Sequence, residues 1–503
     1  MQSLRSATLE NGEAVEVVVE ATLTRGLPAF QIVGMVNLAI NESKERVKSA
    51  LLSQSFTFPP KRITLNLSPS EVSKSGSHFD LPIALLIALN DLERDISQWS
   101  VFGELGLDGR LKESSAIYPL ILSLANRGKG TKIIVPKESL EKLSKIPNVE
   151  LYGFATLKEV VEAFRNNSFT PYSSAKEIPH PFVEANDKRY YYMQKYPFDF
   201  QSVKGQTRAK KAALIAAAGF HNILLTGSPG SGKTMIAQRL RYILPPLLLE
   251  EILEITKIRI LSHQEATFEP VRPLSAPHHS STPASIFGGG TKQARIGEVG
   301  LAHLGELFFD ELPHFPKRVL EALREPMQDR VIRISRVNSK VEYKSDFLFV
   351  GAMNPCPCGN LLDETKECRC SDIEIQRYKN RLSDPFLDRI DLHVVMQKSS
   401  LKEESTLSSK EMHAKVIDAF LFAKKRGQLH ANAHLKDAEL ERFCKLQEEE
   451  AALLETAMSR YALSLRSRAS VLKVARTIAD LEQSQNITKE HLLEALSYRR
   501  RER

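Results

Sequence analysis

Gly227-Ser-Pro-Gly-Ser-Gly-Lys-Thr234 is the stretch from which the architecture can be read. Gly227, Gly230 and Gly232, with Ser228, Pro229 and Ser231 between them, allow backbone N–H groups to wrap a polyphosphate. Lys233 then reaches the terminal phosphates, and Thr234 is a Mg²⁺ ligand. Immediately before the loop, residues 222–226 read as a short apolar strand. Immediately after it, 235–244 carries Ile236, Ala237, Leu240 and Ile243 at helical spacing and stops at Pro245-Pro246. A chance glycine turn would not have this strand–loop–helix context. Farther along, Leu307-Phe-Phe-Asp-Glu311 is an apolar strand ending in two carboxylates. Asp310 is expected to complete the Mg²⁺ shell and Glu311 to polarise a water for in-line attack. The expected chemistry is binding and hydrolysis of ATP.

The rest of the 503-residue chain is long enough for about two to four domains. A content of 42% hydrophobic and 26% charged residues is that of an ordinary globular protein. The net charge of +8 leans towards an anionic partner such as nucleic acid, although many cytosolic proteins are as basic. No apolar run approaches the roughly 20 residues of a membrane span, and 81–89, interrupted by Pro82, reads as a buried helix. No signal segment opens the chain, and five cysteines are too few for a disulfide scaffold. The expectation is a cytoplasmic protein without a membrane partner.

Four segments emerge. Residues 1–165 alternate strand and helix patterns, with a β-rich stretch at 14–23, an amphipathic helix at 41–53 and a strand at 63–67. Residues 166–197, rich in Asn, Ser, Pro and Tyr, read as a linker. Residues 198–397 carry the nucleotide motifs on strands at 222–226, 305–309 and 347–352, and 398–503 is helical throughout. The predicted class is α/β with a helical C-terminal domain. Asn354, where the 347–352 strand exits, is placed to orient the attacking water; the bland alternative is a turn-forming Asn before Pro355. Arg389, within Phe386-Leu-Asp-Arg-Ile-Asp391, suits a finger projected into a neighbouring subunit's site; the alternative is an Asp–Arg surface pair. Cys356, Cys358, Cys368 and Cys370 group four thiols that could close a structural Zn²⁺ site, with reduced cysteines or a redox disulfide as rivals. Cys444 reads as core, and His278-His279 as a loop or pore feature rather than a metal site.

Several motifs in order resemble one family. They are the stretch from Phe200 to Gly219, the P-loop, Ala276-Pro-His-His-Ser280, Gly288-Gly-Gly290, Gly297-Glu-Val-Gly-Leu-Ala-His303, the Asp310-Glu311 strand, Asn354-Pro-Cys-Pro-Cys-Gly359 and Asp388-Arg-Ile-Asp-Leu-His393. Together they resemble the bacterial magnesium chelatase-like AAA+ proteins, and within these the ComM family, also called YifB. The resemblance implies a homohexameric ATPase that drives branch migration of three-way and four-way DNA junctions during natural transformation. Recombination proteins and single-stranded or branched DNA would be its partners. It implies a parallel sheet with helices on both faces and a helical lid, with Asn354 as sensor 1, Arg389 as arginine finger and Arg466 as the sensor-2 arginine. Two stretches look like the pore-lining insertions of the clade: 277–302 with Lys292 and Arg295, and 331–344 with Arg333, Arg336, Lys340 and Lys344. These cations would track a phosphate backbone; the alternative is a solvated basic hairpin.

At the front of the chain, Gly103-Glu-Leu-Gly-Leu-Asp-Gly-Arg110 resembles a segment of the Lon protease fold. The Lon lysine position falls on Tyr118, and Lys74-Ser-Gly-Ser-His78 lacks the Lon serine context. Ser77 with Lys112 or Lys74 is therefore not expected to act as a peptidase dyad; ring stabilisation or DNA binding is expected instead. Arg499, Arg500, Arg501 and Arg503 at the tail fit DNA contact or a solvated helix end equally. Rival functions are a chelatase motor, disfavoured because the chain lacks an Asp-x-Ser-x-Ser signature, an ATP-dependent protease, and a DNA clamp with slow turnover.

Overall fold

The computed structural model describes residues 2–129, 132–173, 178–289, 296–335, 340–397, 407–461 and 463–499. The chain forms two compact units, Met1–Pro179 with Thr256–Phe268, and His180–Ile255 with Glu269–Arg503.

The first unit is built on a seven-stranded mixed sheet. Its spatial order is Ala29–Val33, Arg62–Ser68, Glu13–Thr24, Gln2–Glu10, Ser100–Val101, Lys132–Pro136 and Glu150–Phe154. The first hairpin turns at Asn11-Gly12, both with positive φ (54° and 81°), the turn that suits the right-handed twist of a two-residue loop. Alternate residues of these strands, among them Leu4, Val17, Val19 and Leu65, meet the buried helix Asp80–Ala88. Asp80 enters this apolar surrounding because Arg46 Nε binds its carboxylate at 2.7 Å and Ser43 donates a second hydrogen bond. Ser77 hydrogen-bonds neither lysine weighed for a peptidase dyad, and the Lys74 ammonium is buried without a hydrogen-bond partner. The Ser77 hydroxyl bonds Glu104, Lys112 is exposed, Lys74 is fully buried, and Tyr118 is buried in the helix Ile117–Asn126.

In the second unit five parallel strands lie in the order Leu274–Ser275, Glu306–Phe309, Leu348–Met353, Ile223–Gly227, Leu392–Met396. Both faces are covered, which explains why the strands read as continuous apolar runs. The two-residue period divides them between two cores. Ile223, Leu225, Phe308, Leu348 and Val350 pack with the helix Thr207–Gly219 and the C-terminal helices. Leu224, Leu307, Phe309 and Phe349 face the other way, towards Val319, Leu320, Leu323 and Phe386.

Residues 182–191 depart from the linker expectation. Phe182–Ala185 and Lys188–Tyr191 form a hairpin that pairs with Leu247–Leu248. Its turn, Asn186-Asp187, has positive φ at both residues (51° and 58°), and Tyr190 and Tyr191 are buried. The stretch looked irregular because each strand has only four residues.

After Met396 no strand occurs among the described residues, and the main helices are Ser409–Lys425, Glu448–Arg460, Leu465–Leu481 and Lys489–Ser497. The first opens with a reciprocal Ser408/Glu411 capping box. A buried polar network ties these helices to the sheet. Asp480 receives Arg426 in bidentate fashion (2.7 and 2.9 Å), Arg476 Nε at 3.0 Å and Asn432 Nδ2 at 2.8 Å. From Thr477 the network passes through His221, at 2.7 Å, to Asp391, at 3.2 Å. Arg499 belongs to the same assembly. It is buried and bonds the Ile390 carbonyl and Ser467, each at 2.9 Å, so it is neither a DNA contact nor a solvated helix end. Arg500, Arg501 and Arg503 lie outside the described residues.

Asp480→Ala would remove the shared carboxylate from buried Arg476 and half-buried Arg426, at a cost of about 3–5 kcal/mol. Urea unfolding of the full-length variant should register that loss. A change below about 1 kcal/mol, the size of a surface ion pair, would show that the carboxylate is dispensable.

Candidate active site at the end of the parallel sheet

The parallel strands emerge side by side at their C-terminal ends, the place where open α/β sheets bind ligands. Ile223–Gly227 leads into the P-loop, and the helix Lys233–Leu240 leaves it. Gly232 has φ +92°, a backbone conformation that a side chain would strain. Lys233 is buried, with Nζ donating to the carbonyls of Gly227 (2.6 Å) and Ser228 (3.1 Å) and to Asn354 Oδ1 (3.2 Å). Burial pushes its pKa down, opposed by the charge of Asp310. The Ser228 and Ser231 hydroxyls are buried without a hydrogen-bond partner. Orphaned donors beside a buried ammonium and a helix N-terminus match a polyphosphate.

The neighbouring strand Glu306–Phe309 brings in the acidic pair. Thr234 Oγ1 donates to Asp310 Oδ2 at 2.9 Å, which joins the two residues expected to hold Mg²⁺. Glu311 adopts the left-handed conformation (φ 51°), and its N–H bonds Asp310 Oδ1 at 2.9 Å. A non-glycine residue there is costly, and such strain is characteristic of functional sites. His279 Nδ1 lies 3.4 Å from Glu311 Oε2, so the His278-His279 pair expected as a loop or pore feature reaches the Glu311 carboxylate. Sheet order explains this, since His279 follows the strand Leu274–Ser275, the parallel neighbour of Glu306–Phe309.

Asn354 leaves the strand Leu348–Met353 and runs directly into the cysteine knuckle. Cys356, Cys358, Cys368 and Cys370 place their sulfurs within 4.8 Å of one another. The Sγ–Sγ separations are 3.5 Å (356–358), 3.7 Å (356–368) and 3.7 Å (358–368). A tetrahedron with Zn–S bonds of about 2.3 Å has edges of about 3.8 Å, so the four thiols fit a thiophilic structural metal. The knuckle also packs on the P-loop: a Cβ added to Gly359 would sit 2.7 Å from Pro229 Cδ. Cys444 is buried far along the sequence, its thiol pushed up to about 12 by burial.

Arg389 lies at the N-terminal end of the parallel strands, opposite the end that carries the P-loop. Its carbonyl accepts from Asn222 Nδ2 at 2.9 Å, and Asn222 immediately precedes the P-loop strand. Five residue steps at about 3.3 Å each separate that point from Gly227, farther than an arginine side chain reaches. Its guanidinium donates to the carbonyls of Pro385 (2.6 Å) and Arg324 (3.1 Å) and to Gln328 Oε1 (2.7 Å). Among the described residues Arg389 forms no ion pair with an aspartate; Asp388 lies 4.0 Å from Arg499 instead. Arg466 Nη2 donates to the same Gln328 Oε1 at 2.7 Å. The structure thus groups Arg389 and Arg466 with each other, away from Lys233, Asn354 and Glu311 of their own chain.

Of the expected DNA-contacting cations, Lys292, Arg295 and Arg336 lie outside the described residues, as does the side chain of Lys340. The strands Val331–Ser335 and Lys340–Lys344 pair antiparallel, and Lys344 is exposed. Arg333 is held by Glu325 (2.9 Å) and Glu342 (3.0 Å), a departure from a cation free for a phosphate backbone.

Three family profiles match the chain. Residues 199–404 match "Magnesium chelatase, subunit ChlI", 19–139 "Subunit ChlI of Mg-chelatase", and 406–499 "Magnesium chelatase, subunit ChlI C-terminal". The Competence protein ComM of Haemophilus influenzae is 38% identical over 97% of this chain and 95% of its own length. YifB of Escherichia coli is 38% identical over 97% and 94%. The Magnesium-chelatase 67 kDa subunit of Heliobacterium mobile is 25% identical over 31% of this chain and 28% of its own. No described helix is long and apolar enough to cross a membrane.

Proposed function

Since the chain belongs to the ComM/YifB family of magnesium chelatase-like AAA+ ATPases, we propose that its ATP-driven motor works on branched DNA. The reading is a cytoplasmic homohexamer that migrates three-way and four-way junctions during natural transformation, alongside recombination proteins. The observation that carries it is the near end-to-end similarity to a protein named for competence. Lys344, exposed on this hairpin, is a cation of the sort that follows a phosphate backbone without reading sequence. The chelatase reading draws on the names of the three family profiles, but the chelatase subunit of Heliobacterium mobile is 25% identical over 31% of this chain, against 38% over 97% for the competence protein.

Within the motor, the P-loop amides from Gly227 to Thr234 and Lys233 bind the triphosphate. Thr234 and Asp310 would hold Mg²⁺, which would supply positive charge against the triphosphate. Glu311 takes the proton of the attacking water, Asn354 orients that water, and Arg389 stabilises the transferred group in a neighbouring subunit. The first unit has a ring-stabilising or DNA-binding role. Strand displacement on forked and four-way junction DNA tests this reading. The wild type should separate strands only with ATP, and its DNA-stimulated ATPase should weaken steeply as salt rises. A DNA-independent, salt-insensitive ATPase without strand displacement would remove DNA as the substrate.

The four cysteines are the ligands of one structural Zn²⁺. Metal analysis of tag-free protein should find one zinc per chain. Cys368→Ser should lose it and, through Gly359 and Pro229, weaken binding of a fluorescent ATP analogue. Well under one zinc per wild-type chain, or a Cys368→Ser protein that keeps its metal, contradicts the assignment.

A further inference from the structure

Three segments far apart in sequence converge on one side-chain amide. Gln328 stands in the helix Arg324–Asp329, Arg389 just beyond Asp384–Leu387, and Arg466 in the first turn of Leu465–Leu481. Gln328 Oε1 accepts from Arg389 Nη2 and from Arg466 Nη2, each at 2.7 Å. Arg324 joins the group through its carbonyl, which accepts from Arg389 Nε at 3.1 Å. Burial first, then the charges of Arg466 and Arg324, lower the pKa of Arg389, with Asp388 and Asp329 opposing. The Arg324 guanidinium is itself paired with Glu321 at 2.6 Å, whereas Arg389 and Arg466 meet on a neutral acceptor; two like charges on one amide oxygen repel each other, so the pair suits an anion. Their chain's own P-loop is at the other end of the sheet. With the P-loop at the far end of the strands, a phosphate that reaches Arg389 and Arg466 is one presented by another copy of the chain.

We propose that Gln328 is the positioning residue that gathers Arg389 and Arg466, with Arg324 beside them, into one receptor for the triphosphate bound by a second copy of this chain. The inference rests on the ATPase reading above and adds to it a residue with no charge of its own. Neutrality is the point. An amide oxygen holds two guanidinium groups in register yet leaves their charge for the phosphate, whereas a carboxylate would hold them more tightly and cancel part of that charge. It also couples the two sources of charge. Arg466 rides on the C-terminal helices and Arg389 on the sheet, so the shared amide makes the receptor depend on how these two parts meet.

The test compares full-length Gln328→Glu and Gln328→Ala with wild type, reading kcat and the Kd of a fluorescent ATP analogue separately. Both variants should bind the analogue within about twofold of wild type, because the P-loop is remote from the change. Turnover should fall about tenfold or more in Gln328→Glu and less in Gln328→Ala. A simple structural tether gives the opposite order, since glutamate is isosteric and bonds arginine more strongly; wild-type turnover in Gln328→Glu would overturn the proposal. A second experiment uses mixed assemblies of Gln328→Glu and Lys233→Ala chains, co-expressed and purified through two different tags. Lys233→Ala alone is inactive and Gln328→Glu keeps at most about a tenth of wild-type turnover, but about a quarter of randomly formed interfaces pair an intact P-loop with an intact receptor, so activity should rise above that of either variant alone. No recovery in verified mixed assemblies would overturn the trans arrangement. A wild type that does not hydrolyse ATP would instead overturn the ATPase reading itself.

Discussion

Lys233→Ala is expected to abolish ATP turnover and, with it, strand displacement. The lysine is buried, and its ammonium sits among the carbonyls of Gly227 and Ser228 and the amide of Asn354. Truncation removes the one cation inside the P-loop and leaves those oxygens without their donor. Removing one partner of a buried charged contact costs about 2–5 kcal/mol, or on the order of 30- to 3,000-fold in affinity for the triphosphate. The transition state carries charge that the same ammonium stabilises, so kcat should collapse as well. Isothermal titration with a non-hydrolysable ATP analogue and a phosphate-release assay separate the two losses. Strand displacement that persists in this variant would remove the ATP-driven motor from the account.

Arg389→Ala should leave ATP binding intact and reduce kcat by about 10³ to 10⁵, the range over which arginine fingers act. Geometry carries the expectation. Arg389 is anchored beside Asn222, at the start of the strand whose far end forms the P-loop, so its loss cannot disturb phosphate binding in the same chain. Nucleotide Kd and turnover should therefore separate cleanly, in contrast to Lys233→Ala, where both fail. Normal turnover would exclude a trans-acting finger. Weakened ATP binding would mean that the residue acts within its own chain.

The elements that position the nucleotide were legible in the sequence because short-range physics specifies them. Residues 222–226 are apolar and β-branched enough for a strand, and the structure forms Ile223–Gly227. The glycines that follow permit the loop, and the apolar spacing from Ile236 gives the helix Lys233–Leu240. The hairpin at 182–191 was less legible, because two four-residue strands around an Asn-Asp turn carry too little alternation to stand out from a linker. Arg499 looked like part of a basic tail, since sequence shows charge and not the Ile390 carbonyl and serine hydroxyls that bury it.

By itself, then, the sequence determined which chemistry the chain carries: a P-loop, an acidic pair at a strand end, four clustered thiols and two arginines of interest. Those are local patterns, and local patterns report on residues within a few turns or strand lengths of one another. Only the tertiary structure decided which of them meet. Parallel pairing of Leu274–Ser275 with Glu306–Phe309 puts His279 on Glu311, across 32 positions that no periodicity connects. Packing of the C-terminal helices on the sheet brings Arg466 to Gln328, 138 positions away, and so to Arg389. The physical reason is that sheet order and helix docking are settled by burial of whole faces. An ion pair or a shared acceptor that follows from such docking leaves no mark in the sequence around either partner.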